Sequence, residues 1–126
     1  IGNNGISKIE NLSFQNLASL TELNLVNEKL NSLDKNVFKG LEKKLITLSL
    51  MGNLLKEIKN DFFVNLECLA DLNLDYNHIE HFETNAFFHL KSLRVLSIKF
   101  NKIKILKAYV FKNLTNLIQL DFFMNE

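Results

Sequence analysis

Leu69-Ala70-Asp71-Leu72-Asn73-Leu74-Asp75-Tyr76-Asn77-His78-Ile79 is the stretch whose reading decides the fold. In Leu72-Asn73-Leu74, apolar and polar residues alternate, which marks a short strand with one buried face. Asn77 comes where the chain must leave that strand, and a short amide there satisfies backbone groups that the bend removes from a sheet ladder. Ile79 then returns an aliphatic side chain to the interior.

The same phrase recurs along the chain. Leu20, Leu23 and Leu25 lead to Glu28 and Leu30; Leu45, Leu48 and Leu50 lead to Asn53 and Leu55. Leu93, Leu96 and Ile98 lead to Asn101 and Ile103, and Leu117, Leu120 and Phe122 lead to Asn125. Asn4 and Ile6 fit the tail of an earlier unit. A second half recurs as well: Phe14, Phe38, Phe63, Phe87 and Phe111 are each followed three residues later by leucine. A single turn of this kind buries almost nothing, whereas stacked turns bury a continuous core.

This pattern resembles the leucine-rich repeat, whose period is about 20 to 29 residues. With phenylalanine in the second half of each repeat, it is similar to the type found in extracellular receptors, the Toll-like receptors among them. The resemblance implies an α/β solenoid: a curved parallel sheet on the concave face, and short helices, 3₁₀ turns or loops on the convex face. Residues 1–126 are read as one such domain of about five repeats, uncapped at both ends and so a stretch of a longer protein.

Physical roles follow for the repeated residues. Asn4, Asn53, Asn77, Asn101 and Asn125 are expected to form a structural ladder. Glu28 breaks it, so either that turn is less regular or the carboxylate finds backbone donors of its own. Phe14, Phe38, Phe63, Phe87 and Phe111 are expected to stack in the interior under the convex side, with no second sheet to close the core. Leu23 and Leu48 are 25 apart instead of 24, and the extra residue in Glu42-Lys43-Lys44 is assigned to a convex loop.

Composition narrows the function. The chain has 126 residues, 47% apolar, with 15 basic and 14 acidic side chains for a net charge of +1. The lysines read as scattered, with a modest concentration at Lys99, Lys102, Lys104 and Lys107, and this balance disfavours direct nucleic-acid binding. No apolar run is long enough to span a membrane in this segment. Cys68 stands alone and reads as a small buried hydrophobe. His78 and His81 lack a third ligand, so no metal or other cofactor is expected. Histidines at 78, 81 and 89 also fall in the range that senses endosomal pH, but no carboxylate partner is visible in the sequence. Neither a nucleophile motif nor a phosphate-cradling glycine loop is present, which argues against an enzyme. Asn11-Leu12-Ser13 and Asn113-Leu114-Thr115 make Asn11 and Asn113 glycosylation candidates in the convex half, although chance alone predicts about as many in a chain this rich in asparagine.

What remains is the concave face, where repeats are free to differ. Asn24, Ser49, Asn73, Ser97 and Asp121 form a small polar column that could serve as a hydrogen-bonded floor. Beside it, Met51, Asp71, Asp75 and Lys99 are read as outward, with Asp75 and Lys99 close enough to pair across strands. Tyr76, Phe100, Phe123 and Met124 form a candidate hot spot of the kind protein interfaces favour; the competing reading packs them over the neighbouring turn. The expected function is macromolecular recognition in an extracellular or cell-surface receptor, or a secreted binding protein, with a protein ligand or co-receptor as partner. An assembly role in a larger complex, including homo- or hetero-oligomers, and a cytoplasmic scaffold are the alternatives.

Overall fold

The computed structural model describes residues 2–126. In chain order the strands are β1 (Glu22–Asn24), β2 (Thr47–Ser49), β3 (Glu57–Ile58), β4 (Asp71–Asn73), β5 (His81–Phe82), β6 (Val95–Ser97) and β7 (Gln119–Asp121). β1, β2, β4, β6 and β7 form one five-stranded parallel sheet in that order. Its register joins the central leucines, Leu23 to Leu48 to Leu72 to Leu96 to Leu120. Backbone bonds extend the ladder past the strand ends: Leu50 N–H donates to Asn73 O at 2.9 Å and Tyr76 N–H to Lys99 O at 3.0 Å. Each repeat is therefore one turn of a leucine-rich-repeat solenoid, held to the next by strand pairing and the backbone bonds that continue it.

One expectation about the outer side needs correction, that no second sheet forms there. β3 and β5 form a second, two-stranded parallel sheet, so Ile58 and Phe82, both in the core cluster, are tied by backbone pairing. Turns, with no helix among the described residues, make up the convex side. Each turn has only a few residues between its buried leucines, too few to nucleate a helix cheaply. Consequently no helix among the described residues is long and apolar enough to cross a membrane. The extra residue of the second repeat is absorbed in the turn at residues 42–44, without disturbing the register of β1 on β2.

The core is one cluster running the length of the solenoid. Phe14, Phe38, Phe63 and Phe87 lie nearly parallel, with ring centroids 6.2, 6.4 and 6.3 Å apart, and Phe111 follows at 5.7 Å with a 34° tilt. Leu17 does not join the leucines that follow the other phenylalanines: it is exposed, while Leu41, Leu66, Leu90 and Leu114 are buried. Cys68 is likewise exposed, contrary to the buried role expected of a lone cysteine. It falls in a turn between Leu66 and Leu69, both fully buried, and those two leucines take the inward positions.

Asn53, Asn77 and Asn101 are buried and repeat one hydrogen-bond pattern. Each carbonyl oxygen accepts a backbone N–H of the preceding turn, from Leu30, Leu55 and Ile79 respectively. Each amide nitrogen donates to a carbonyl of the preceding turn (Leu25, Leu50, Leu74) and to one of its own (Leu50, Leu74, Ile98). Half-buried Asn125 does the same toward Ile103, Ile98 and Phe122. Asn4 departs from the set: it is exposed, and its amide donates to Gly2 O and to Glu28.

Glu28 resolves the break in the ladder by finding donors of its own. Only 3% exposed, it accepts from Ile6 N–H at 2.7 Å and from the backbone and side-chain N–H groups of Asn4. Burial pushes its carboxyl up, but the bonds from Ile6 and Asn4 outweigh this and hold it below the ordinary range. The stabilisation is therefore complete above the unfolded pKa of about 4.3 and disappears as pH falls through the lower folded value. Amide-exchange protection of Ile6 should drop in that acid window and should stay flat in Glu28→Gln, which keeps an acceptor without the charge. Identical pH profiles for the two proteins would refute this account.

Candidate recognition surface

The sheet face presents its residues in columns one strand apart, about 4.8 Å. In the polar floor, Asn24 Oδ1 accepts Val26 N–H at 3.0 Å and Asn73 Oδ1 accepts Asp75 N–H at 2.9 Å. β6 has Ser97 at this position, and there the equivalent donor, Lys99 N–H, is bonded instead by Asp75 Oδ1 at 2.7 Å. Ser97 Oγ donates to the same oxygen at 2.7 Å.

Asp75 is consequently not an outward ligand-binding residue. It is buried at 5% exposure, turned along the sheet by the two donors of the next strand. Lys99 Nζ lies 3.8 Å from Asp75 and 3.4 Å from Asp121, so it bridges two carboxylates and does not stand free. Met51 and Asp71 are half-buried on the same face.

At the edge of this face the chain turns through the left-handed region in every repeat. Asn3, Asn27, Gly52, Tyr76, Phe100 and Met124 all have positive φ, between 53° and 71°. Asparagine and glycine adopt this conformation readily; a bulky side chain does so at a cost of about 1 kcal/mol or more. Tyr76 and Phe100 accept that strain and stack, with ring centroids 4.3 Å apart and planes 10° from parallel. Phe123 meets Phe100 edge-on at 5.8 Å. The result is a ridge that packing covers only in part: Tyr76 is 49% exposed, Phe123 65% and Met124 56%.

Beyond the ridge, the flank of the solenoid carries charge. Glu57 bonds Lys59 at 3.2 Å and His81 Nε2 at 3.1 Å, and these neighbours, Lys59 first, hold its carboxyl below the usual range against the opposing effect of burial. His81 therefore has a carboxylate partner that sequence reading missed; the signal was the 24-residue spacing that puts 57 and 81 side by side in β3 and β5. Both side chains are half exposed, so the pair adds little stability. No cluster of metal-ligating side chains occurs among the described residues. A groove of about 670 Å³ lies along this flank, lined by Glu80, His81, Lys102, Lys104, Ile105, Lys107 and Glu126. On the opposite, convex side, Asn11 is exposed and Asn113 half-buried beside buried Leu114.

The family model for the leucine-rich repeat matches residues 1–43 and 43–103. This chain belongs to the leucine-rich repeat family. Leucine-rich repeat-containing protein 3 of Danio rerio is 33% identical over 73 residues, 58% of this chain and 27% of the relative. Among solved structures, TLR13 in a TLR13–ssRNA13 complex superposes on 99% of the chain with a TM-score of 0.95 and 29% identity. A Drosophila Toll–Spätzle complex superposes on 85% with a TM-score of 0.78 and 27% identity. The leucine-rich repeat protein described here thus resembles Toll-like receptors in fold and sequence, and it spans only 18% and 16% of those two chains.

Proposed function

We propose that this leucine-rich repeat segment is a non-enzymatic recognition surface of an extracellular receptor or secreted binding protein, engaging a macromolecular partner through its sheet face and aromatic ridge. One observation carries the reading. Tyr76 and Phe100 stand, strained and half-solvated, where earlier turns place Asn27 and Gly52. Strained, exposed aromatics concentrate where binding uses them. Similarity to two receptors in ligand complexes supports the same conclusion. One of those ligands is single-stranded RNA, so balanced total charge no longer counts against nucleic acid as a partner class.

Tyr76→Asn tests the reading, because asparagine fits the left-handed turn while removing the ring. Partner affinity should fall about 30-fold, the cost of losing a hot-spot side chain, while stability changes by no more than about 1 kcal/mol. A photo-crosslinking phenylalanine analogue at position 76 should capture the partner, and one at Phe88, exposed on the convex side, should not. Equal capture from both positions, or unfolding of Tyr76→Asn, would place the ridge in the core instead of the interface.

Passage through the secretory pathway is testable separately. Intact mass before and after N-glycan removal should show a glycan at Asn11, which is exposed, in preference to half-buried Asn113. Unmodified asparagine at both positions would favour the cytoplasmic scaffold.

A further inference from the structure

Two exceptions to the repeat pattern fall on the same turn. Along the ladder column, each later member is followed by a residue with a side chain: Lys29 after Glu28, Leu54 after Asn53, His78 after Asn77, Lys102 after Asn101 and Glu126 after Asn125. Only Asn4 is followed by glycine, and Asn4-Gly5 is the one Asn-Gly pair in the chain. The same turn meets a carboxylate, Glu28, at the ladder position where the next three turns hold buried Asn53, Asn77 and Asn101.

An asparagine side chain is open to attack by the backbone nitrogen of the residue that follows it. A Cβ on that residue crowds the approach, and glycine has none. Asn4 and Gly5 are both exposed. A Cβ built on Gly5 would meet nothing nearer than the Lys29 side chain at 3.8 Å, so the surroundings leave room for the ring that such an attack forms. Asn4 Nδ2 donates to Gly2 O at 2.8 Å, at the surface, and to Glu28 Oε1 at 3.2 Å. Local opening of bonds like these is frequent in an exposed turn, and each opening frees the amide.

We infer that Asn4-Gly5 is a self-modifying site whose conversion unlatches this turn from Glu28. The Gly5 nitrogen gives up its proton and bonds to Asn4 Cγ; the Cγ–Nδ2 bond breaks, and the side-chain nitrogen leaves as ammonia, giving a succinimide. Water then opens the ring. Cleavage at Cγ yields aspartate, and cleavage at the backbone carbonyl carbon yields isoaspartate; nothing is oxidised or reduced. Either product puts a carboxylate where the Asn4 amide now donates to Glu28. Glu28 is 3% exposed and is held by N–H donors, Ile6 at 2.7 Å and Asn4 at 3.1 Å among them. Two carboxylates at such a distance resist ionising together. Isoaspartate also adds a backbone carbon ahead of Ile6, which moves the Ile6 donor off its acceptor. Asn3 N–H to Val26 O at 2.9 Å and Lys29 N–H to Ile6 O at 2.8 Å flank the carboxylate, so the ties of this turn loosen from their centre.

The test ages the whole protein that carries these repeats in mildly alkaline heavy-oxygen water and maps it by peptide mass. Residue 4 should show an amide-to-acid exchange with heavy oxygen in the product, as two species of equal mass. Asn3, also exposed but followed by a residue with a Cβ, and buried Asn77 should stay unchanged. Gly5→Ala should lose the conversion; because φ is 75° there and alanine is strained, exchange at the Leu55 amide, held by Asn77, checks that the later turns stay intact. Asn4→Asp makes the ordinary product directly. It should lower amide-exchange protection of Ile6 about tenfold, the equivalent of one pKa unit of coupling between the carboxylates, and leave Leu55 as it was. Residue 4 still an amide when the same residues in a free peptide have fully converted, or undiminished Ile6 protection in Asn4→Asp, would overturn the inference.

Discussion

Asn77→Ala should destabilise the solenoid by about 3 to 5 kcal/mol, a large part of the total stability of a domain this size. Asn77 is 3% exposed, and four buried backbone groups depend on it. Its oxygen accepts Leu55 N–H at 3.1 Å, and its nitrogen serves the carbonyls of Leu50, Leu74 and Asp75 at 3.0, 3.0 and 3.2 Å. Alanine supplies none of these bonds, and each buried group left unpaired costs about 1 to 3 kcal/mol, not fully additively. Denaturant unfolding measures the total. Because neighbouring repeats need not unfold together, exchange at the Leu55 amide locates the loss. Asn77→Asp should be no milder at neutral pH: it keeps the acceptor but turns a charge toward three carbonyl oxygens. Glu28 tolerates its charge because it meets only N–H donors, from Ile6 and Asn4. A loss below about 1 kcal/mol for Asn77→Ala would mean that water satisfies these groups.

Much of this arrangement was legible before any coordinates. A fixed period needs only composition at each position, and the asparagines announce themselves because a short amide offers two donors and a carbonyl acceptor at one bend. Legibility ended where a side chain's fate depends on a residue one turn away. Alternation along β4 makes Asp75 face outward; its burial is decided by Ser97 and Lys99, 22 and 24 positions later. His81 gains a carboxylate only because β3 and β5 pair, which two-residue strands do not signal. Cys68 follows the same rule, since its exposure reflects the better fit of Leu66 and Leu69 in the interior. The ridge residues are legible from their column; the face-to-face stack of Tyr76 on Phe100 at 4.3 Å is not, because it joins side chains of two turns. The stretch between Glu83 and Asp121, with seven basic residues and no acidic one, is hidden differently: the charges are in plain view, but a total of +1 averages it with a net negative remainder.

Phe63→Ala should cost about 3 to 5 kcal/mol, the usual range for a buried phenylalanine. Phe63 is 1% exposed and sits mid-stack, with Phe38 and Phe87 on its two faces at 6.4 and 6.3 Å and the edge of Phe62 at 6.4 Å. Removing the ring forfeits its burial and opens a cavity between two rings that cannot collapse toward each other, because each is anchored in its own turn by a buried leucine, Leu41 and Leu90. Phe111→Ala is the informative comparison. That ring is half-buried and tilted 34° from Phe87, so its surroundings can relax into the vacated space and the loss should be distinctly smaller. In a solenoid whose stability is a sum over neighbouring turns, the middle substitution also weakens two interfaces at once. Equal losses at 63 and 111, measured by denaturant midpoint under the same conditions, would show that the phenylalanines act as independent local plugs and not as a continuous stack.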